Sequence, residues 1–183
     1  MRMNYKGVSC PVCGREFKEG DDIVVCPECG APHHRSCYKQ LGHCALQKRS
    51  LTKMIKSYIM DTDGNVKLAR HFKVKEFACK DGSQVVFIDD YLVSILDILR
   101  NKIGKPVIIT SGYRTPEWNA KCNGAKYSYH MRGMAADIRV DGMSAKELAN
   151  KLNEIVPDGC GIIVYSNWVH FDVRTGKKYR KGV

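Results

Sequence analysis

Apolar residues along the chain follow two different regimes that change over near residue 45. Residues 8–44 hold few large apolar side chains, too few to form a core unaided. From about Leu68 onward, apolar positions recur with helical and strand periods. Between the two regimes, Leu51, Met54, Ile55, Tyr58 and Ile59 repeat at helical spacing and predict a helix. The DTDG run Asp61–Gly64 predicts a turn after it. Three segments are therefore expected: a small module over 1–45, a basic connector over 46–67 and a folded domain over 68–183.

In the third segment, Asp89 is placed to cap a helix with Leu92, Ile95, Leu96, Leu99 and Ile103 on one face. Gly104 suits its end and Pro106 stops it. A strand is expected over Pro106–Thr110, and Thr115-Pro116 reads as the cap and first turn of a short helix. Ala136–Val140 is a second strand candidate. Ser144 with Glu147 forms a capping box for a helix carrying Leu148, Leu152 and Ile155. Ile162–Tyr165 and Trp168–Arg174 read as a hairpin across Ser166-Asn167. Helices and hairpin strands in this order predict an α+β domain around a central antiparallel sheet.

Strand alternation then sorts the polar residues. With Ala136, Ile138 and Val140 facing the core, Asp137 and Arg139 fall on the other face. With Val169, Phe171 and Val173 inward, Trp168, His170, Asp172 and Arg174 share the opposite side. His130 lies seven residues before Asp137, a spacing no helix face accommodates. It reaches the same place if Gly133 turns a loop back into the strand. Two histidines and an aspartate supply three ligands and leave a fourth zinc position for water, the arrangement of hydrolytic zinc.

Cysteine usage changes the picture of the first segment. Six of the nine cysteines lie between Cys10 and Cys44. The pattern is Cys10-x2-Cys13, Cys26-x2-Cys29, His34-x2-Cys37 and then Cys44. Pairs two residues apart let both ligand atoms face one tetrahedral metal, so metal binding is expected rather than disulfides. The formal charge of +11 would drop to about +9 with two Cys3His zinc sites of about −1 each. A basic chain is drawn to polyanions, of which anionic wall polymers and nucleic acid are the two classes. No basic recognition helix and few stacking aromatics accompany the cysteine cluster, which argues against nucleic acid. No stretch has the roughly 20 apolar residues of a membrane-spanning helix, and the first 30 residues hold a CPVCG run where a secretory signal would have its apolar core.

The cysteine-rich stretch resembles bacterial RING-like and PHD-like zinc modules. The resemblance implies one site from Cys10, Cys13, His34 and Cys37, and a second from Cys26, Cys29 and Cys44. The fourth ligand of that second site stays open: Gln47 is a poor ligand, His43 is the substitute, and His33 ranks below it. The runs SGYRTPEWN, GAKYSYHMRGMAADIRV and GIIVYSNWVHFDVR are similar to the zinc D-Ala-D-Ala carboxypeptidase family, related in fold to the Hedgehog signalling domain. That similarity runs from about Leu68 to Arg180. It implies that His130, Asp137 and His170 bind a catalytic zinc, that Arg114 meets a substrate carboxylate, and that Ser128 and Tyr129 lie on the substrate side. Many members place a catalytic carboxylate three residues before the last histidine. Here that position is Asn167, which accepts no proton at neutral pH. Asp172 is then the first candidate for general base, weighed equally against a supporting part, as a salt-bridge partner of Arg139 or Arg174 or as a hydrogen-bond acceptor that orients a ligand histidine. The function expected is zinc-dependent hydrolysis of peptidoglycan stem peptides, as a carboxypeptidase or an endopeptidase. The alternative is a non-catalytic zinc domain that binds a wall peptide or protein. Synthesis in the cytosol with access to the wall at lysis is expected, and with it a phage or prophage lytic role.

Overall fold

The structure is a computed structural model that describes residue 5 and residues 7–26, 31–41, 44–45, 54–156 and 159–183. In the N-terminal segment, β1 (Ile23–Val25) pairs antiparallel with β2 (Pro32–His34), and α1 (Arg35–Leu41) follows directly. Among the described residues there, little apolar material is buried: Cys10, Phe17 and Cys37 form one small cluster, and Cys26, Ala31 and Cys44 another. Both clusters centre on cysteine, as expected for a module held together by metal rather than by a core.

The connector differs from its expected helix. Residues Ile55–Ile59 form a strand, β3, and Leu51 lies outside the described residues. Ile55, Tyr58 and Ile59 are β-branched or aromatic and pack as readily on a pleated surface as on a helix. The tie is broken by a partner: β3 lies antiparallel to β4 (Val85–Asp89), with Ser57 opposite Phe87. Helical spacing alone cannot anticipate a strand 30 residues away. The expected turn at Asp61–Gly64 is the end of a single helical turn, α2 (Met60–Asp63).

Helix α3 (Asp90–Ile103) begins where the capping signal placed it, with the Asp89 carboxylate accepting from the amides of Tyr91 at 2.9 Å and Leu92 at 3.3 Å. It ends at Gly104 in the left-handed region, φ 69°. There follow β5 (Ile108–Ser111), α4 (Pro116–Lys121) capped by Thr115, β6 (Ala135–Arg139), α5 (Ala145–Asn153) capped by Ser144, and β7 (Gly161–Val164), β8 (Val169–Asp172) and β9 (Tyr179–Lys181). The strands form one sheet in the order β5-β6-β8-β7-β9. Its first four strands are antiparallel, and β9 adds in parallel to β7.

One face of this sheet is apolar and carries α3 and α5. Ala136, Ile138, Ile162, Val169 and Phe171 bury against Leu92, Leu96 and Leu99 of α3 and Leu148 and Leu152 of α5. Each fully buried leucine or isoleucine contributes on the order of 2 kcal/mol. The opposite face receives Asp137, His170 and Asp172, as the alternation requires. A loop presses onto that end of the domain. The Asp89 amide donates to the Gly133 carbonyl at 2.9 Å, which pins the end of β4 to the segment preceding β6. Gly133 has φ 67°, and a Cβ there would run into the Phe87 carbonyl and lie 2.9 Å from the Ile88 nitrogen. Only glycine meets both conditions.

Candidate metal centre

Asp137 on β6 and His170 on β8 are direct cross-strand partners, so the sheet ladder alone sets them side by side. His130 comes from a 3-10 turn, Tyr129–Arg132, whose start is capped by Ser128 Oγ accepting from the His130 amide at 3.3 Å. Gly133 ends that turn and returns the chain to β6.

Three ligand atoms converge. His130 Nε2 lies 3.2 Å from Asp137 Oδ1 and 3.1 Å from His170 Nδ1, and His170 Nδ1 lies 2.9 Å from Asp137 Oδ1. Four ligands around zinc at about 2.0–2.1 Å stand roughly 3.3 Å apart in a tetrahedron, within a few tenths of these separations. The hydrogen bonds behind the rings fix which nitrogens face inward. His130 Nδ1 donates to the Gly112 carbonyl at 2.7 Å, and His170 Nε2 donates to Asp172 Oδ2 at 3.1 Å. With both rings neutral, the two remaining nitrogens and Asp137 Oδ1 aim lone pairs at one point, an arrangement that a cation completes.

Charges around the centre follow from burial and these partners. Burial raises the Asp137 carboxyl, but bonds from His130 and His170 more than reverse this and hold it well below the usual carboxylate range. Burial pushes His130 down, and the Asp137 carboxylate recovers only part of that. His170 goes up despite burial, because Asp137 and Asp172 flank it with negative charge. A proton or a metal ion at Nδ1 answers that demand equally. Arg114 Nη2 donates to Asp137 Oδ2 at 2.5 Å, and its Nε donates to Ser111 Oγ at 2.9 Å. This sets a largely buried guanidinium beside the ligand set.

Asp172 does not fit the general-base role expected from its spacing. It is fully buried behind His170, with Oδ2 on His170 Nε2 and both oxygens held by Arg174, Nε on Oδ1 and Nη2 on Oδ2, each at 2.6 Å. Strand rise correctly put it two residues along the same face. The imidazole, however, turns Nδ1 to Asp137 and Nε2 to Asp172, so the two carboxylates sit at opposite edges of one ring. The Tyr129 ring is in contact with Arg174, whose guanidinium carbon lies 4.9 Å from its centroid. Ser128 is engaged as the cap described above. Asn167 is exposed in the β7–β8 turn. Sequence reasoning did not single out the Gly112 carbonyl, and it met Arg174 only as a salt-bridge partner of Asp172. Arg174 was legible as a same-face neighbour of Asp172, whereas nothing local marks Gly112.

In the N-terminal module, Cys10, Cys13, His34 and Cys37 bring their ligand atoms within 4.8 Å of one another, the grouping implied for the first finger site. His34 Nδ1 is 3.3 Å from Cys13 Sγ, and its Nε2 is 3.1 Å from Asp21 Oδ2, a carboxylate that orients the ring. Burial, together with the neighbouring Cys10 and Cys13, pushes the Cys37 thiol up to about 12. Three thiolates cannot share this space without a cation, and a bound dication removes that penalty. Of the second expected site, Cys26 and Cys44 are buried together, while Cys29 and His43 lie outside the described residues. His33 is engaged at both nitrogens, Nδ1 with the Ala31 carbonyl at 3.0 Å and Nε2 with the Ala45 amide at 3.1 Å. That leaves it no lone pair for a metal.

Residues 70–172 match the family model described as Peptidase M15, and residues 4–53 match Prokaryotic RING finger family 1. The chain belongs to the Peptidase M15 family, with a prokaryotic RING finger at its N-terminus. It is 33% identical over 97 residues to proteins named peptidoglycan L,D-endopeptidase MepK from Escherichia coli strain K12, Escherichia coli O157:H7 and Shigella flexneri. The aligned region covers 49% of this chain and 53% of each of those proteins, so the chain spans about half the length of the curated relatives it matches. Among the described residues, no helix is long and apolar enough to cross a membrane.

Proposed function

We propose that the chain is a zinc-dependent peptidase of peptidoglycan stem peptides, with zinc held by His130, Asp137 and His170. The observation that carries this reading is the convergence of three lone pairs within 3.2 Å, inside the segment that matches Peptidase M15. Zinc bound there supplies a Lewis acid for the scissile carbonyl and a coordinated water with its pKa lowered toward ~7. The chain's own residues set the geometry. Gly112 and Asp172 lock the two imidazoles in the tautomers that face the metal. Arg114 holds a fixed positive charge at Asp137, where it takes a substrate carboxylate or the negative charge that develops on the carbonyl oxygen. The finger carries structural zinc at Cys10, Cys13, His34 and Cys37, and Cys26, Cys29 and Cys44, with His43 as fourth ligand, form a second structural site. Anionic wall polymers are the partners that the chain's net charge of +11 favours.

The relatives' name, peptidoglycan L,D-endopeptidase, favours endopeptidase cleavage over removal of a terminal D-alanine. Defined pentapeptides and cross-linked muropeptides, incubated with and without a chelator and read by mass spectrometry, separate the two. Free D-alanine marks a carboxypeptidase, and cleaved cross-links mark an endopeptidase. The non-catalytic reading draws on the exposed Asn167 and the fully engaged Asp172. Wall-peptide binding without any product would establish it.

A further inference from the structure

Arg174 touches no ligand atom, yet it joins the segments that carry two of the ligands. Its guanidinium grips both oxygens of Asp172 at 2.6 Å, and Asp172 in turn holds His170 at 3.1 Å. The same group lies over two aromatic rings, 4.9 Å from the centroid of Tyr129 and 4.7 Å from that of Tyr179. Tyr129 is the residue before His130, so one cation contacts the turn bearing the first histidine and the carboxylate behind the last one. Two cation–π contacts add to the bidentate grip on Asp172 in restraining the position of the fork.

A second feature of the fold makes room for this arrangement. Gly161 on β7 stands directly opposite Asp172 in the sheet register. A Cβ at Gly161 would overlap Asp172 Oδ2 and come within 2.7 Å of Arg174 Nη2. Glycine there is not needed for a turn, because residue 161 begins a strand. It is needed because the ion pair occupies the space of a side chain.

We propose that Arg174, seated in the gap left by Gly161 and in contact with the rings of Tyr129 and Tyr179, is a positioning residue that sets metal affinity through Asp172 and His170. This rests on the reading that His130, Asp137 and His170 hold the metal. The arginine keeps the Asp172 carboxylate at the angle that leaves His170 Nε2 protonated and Nδ1 facing inward. Partners of this kind behind a metal ligand typically change affinity about 10–100-fold.

The test uses the full chain, with zinc at the His/Asp centre titrated by a competing chelator and the finger zinc as internal reference. Long-range proton–nitrogen correlation spectra of His170 report its tautomer. Arg174→Lys keeps the charge and the stem but not the planar fork, and Gly161→Ala pushes on the pair from the other strand. Both are expected to weaken the His/Asp centre about 10–100-fold and to blur the single His170 tautomer, with finger zinc retained. In an Asp172→Asn background, Arg174→Lys is expected to add no further loss. An affinity within twofold of wild type for folded Arg174→Lys overturns the proposal, as does an equal loss in both backgrounds. If Gly161→Ala fails to fold, Arg174→Lys decides alone. Zinc content unchanged in His130→Ala would instead remove the metal reading on which this one rests.

Discussion

Replacing Asp172 by asparagine separates support of the metal centre from proton transfer at it. Burial raises this carboxyl, but Arg174 and His170 outweigh it and bring it from an ordinary 3.8 to about 2. A depression of that size corresponds to about 2 kcal/mol of native-state stabilisation. Because the folded value is the lower one, the stabilisation is complete above about pH 4 and is lost as the pH falls toward 2. Breaking a buried ion pair adds to the loss, while water reaches part of Arg174, whose side chain keeps 20% exposure. Asp172→Asn is therefore expected to cost about 2–3 kcal/mol at pH 7, a gap from wild type that narrows as the pH falls below 4. Trp118 and Trp168 both lie outside the finger, whereas Tyr5 and Tyr38 lie within it, so selectively excited tryptophan fluorescence during chemical denaturation reports this domain alone. Zinc affinity should fall about 10–100-fold, with turnover on muropeptides at saturating zinc staying within about tenfold of wild type. Turnover cut ~10²-fold or more with zinc affinity intact would refute the argument and return Asp172 to the role of base.

Elemental analysis of His130→Ala is expected to show one zinc fewer per chain than wild type, with the finger still loaded. Arg114→Lys should retain zinc and lose about tenfold or more in kcat/KM, since a lysine cannot contact Asp137, Ser111 and a substrate anion with one planar fork; unimpaired turnover would reduce Arg114 to a purely structural bond to Asp137. Gly133→Ala combines a left-handed φ with a clash against the Phe87 carbonyl, and should cost more than about 2 kcal/mol and weaken the metal centre with it. Leu96→Ala opens a cavity between α3 and the sheet and is expected to cost about 2–5 kcal/mol without altering zinc stoichiometry in the folded fraction.

Much of this was legible because the signals are local. Asp89, Thr115 and Ser144 announce helix starts through a single side-chain oxygen, and Gly104 announces an end through one dihedral angle. Alternation along two strands was enough to put Asp137, His170 and Asp172 on one face. What escaped depends on partners distant in the chain. The β3 strand exists because β4 lies beside it. The choice between the two parts weighed for Asp172, base or support, depends on which ring nitrogen faces which carboxylate, and spacing along a strand carries no information about ring orientation. Gly161 acquires its meaning only once register sets it opposite Asp172.

The pairing of Asp137 directly with His170 has a consequence for how this protein tolerates change in length. Inserting or deleting one residue within β6 or β8 rotates a ligand to the apolar side of the sheet and erases the centre at a stroke. The same edit in the exposed Ser166–Asn167 turn leaves both ligands in step. The ladder thus acts as a reading frame for the chemistry, strict along two short strands and permissive between them. Diversification of this scaffold, in nature or at the bench, has its open ground at the β7–β8 turn.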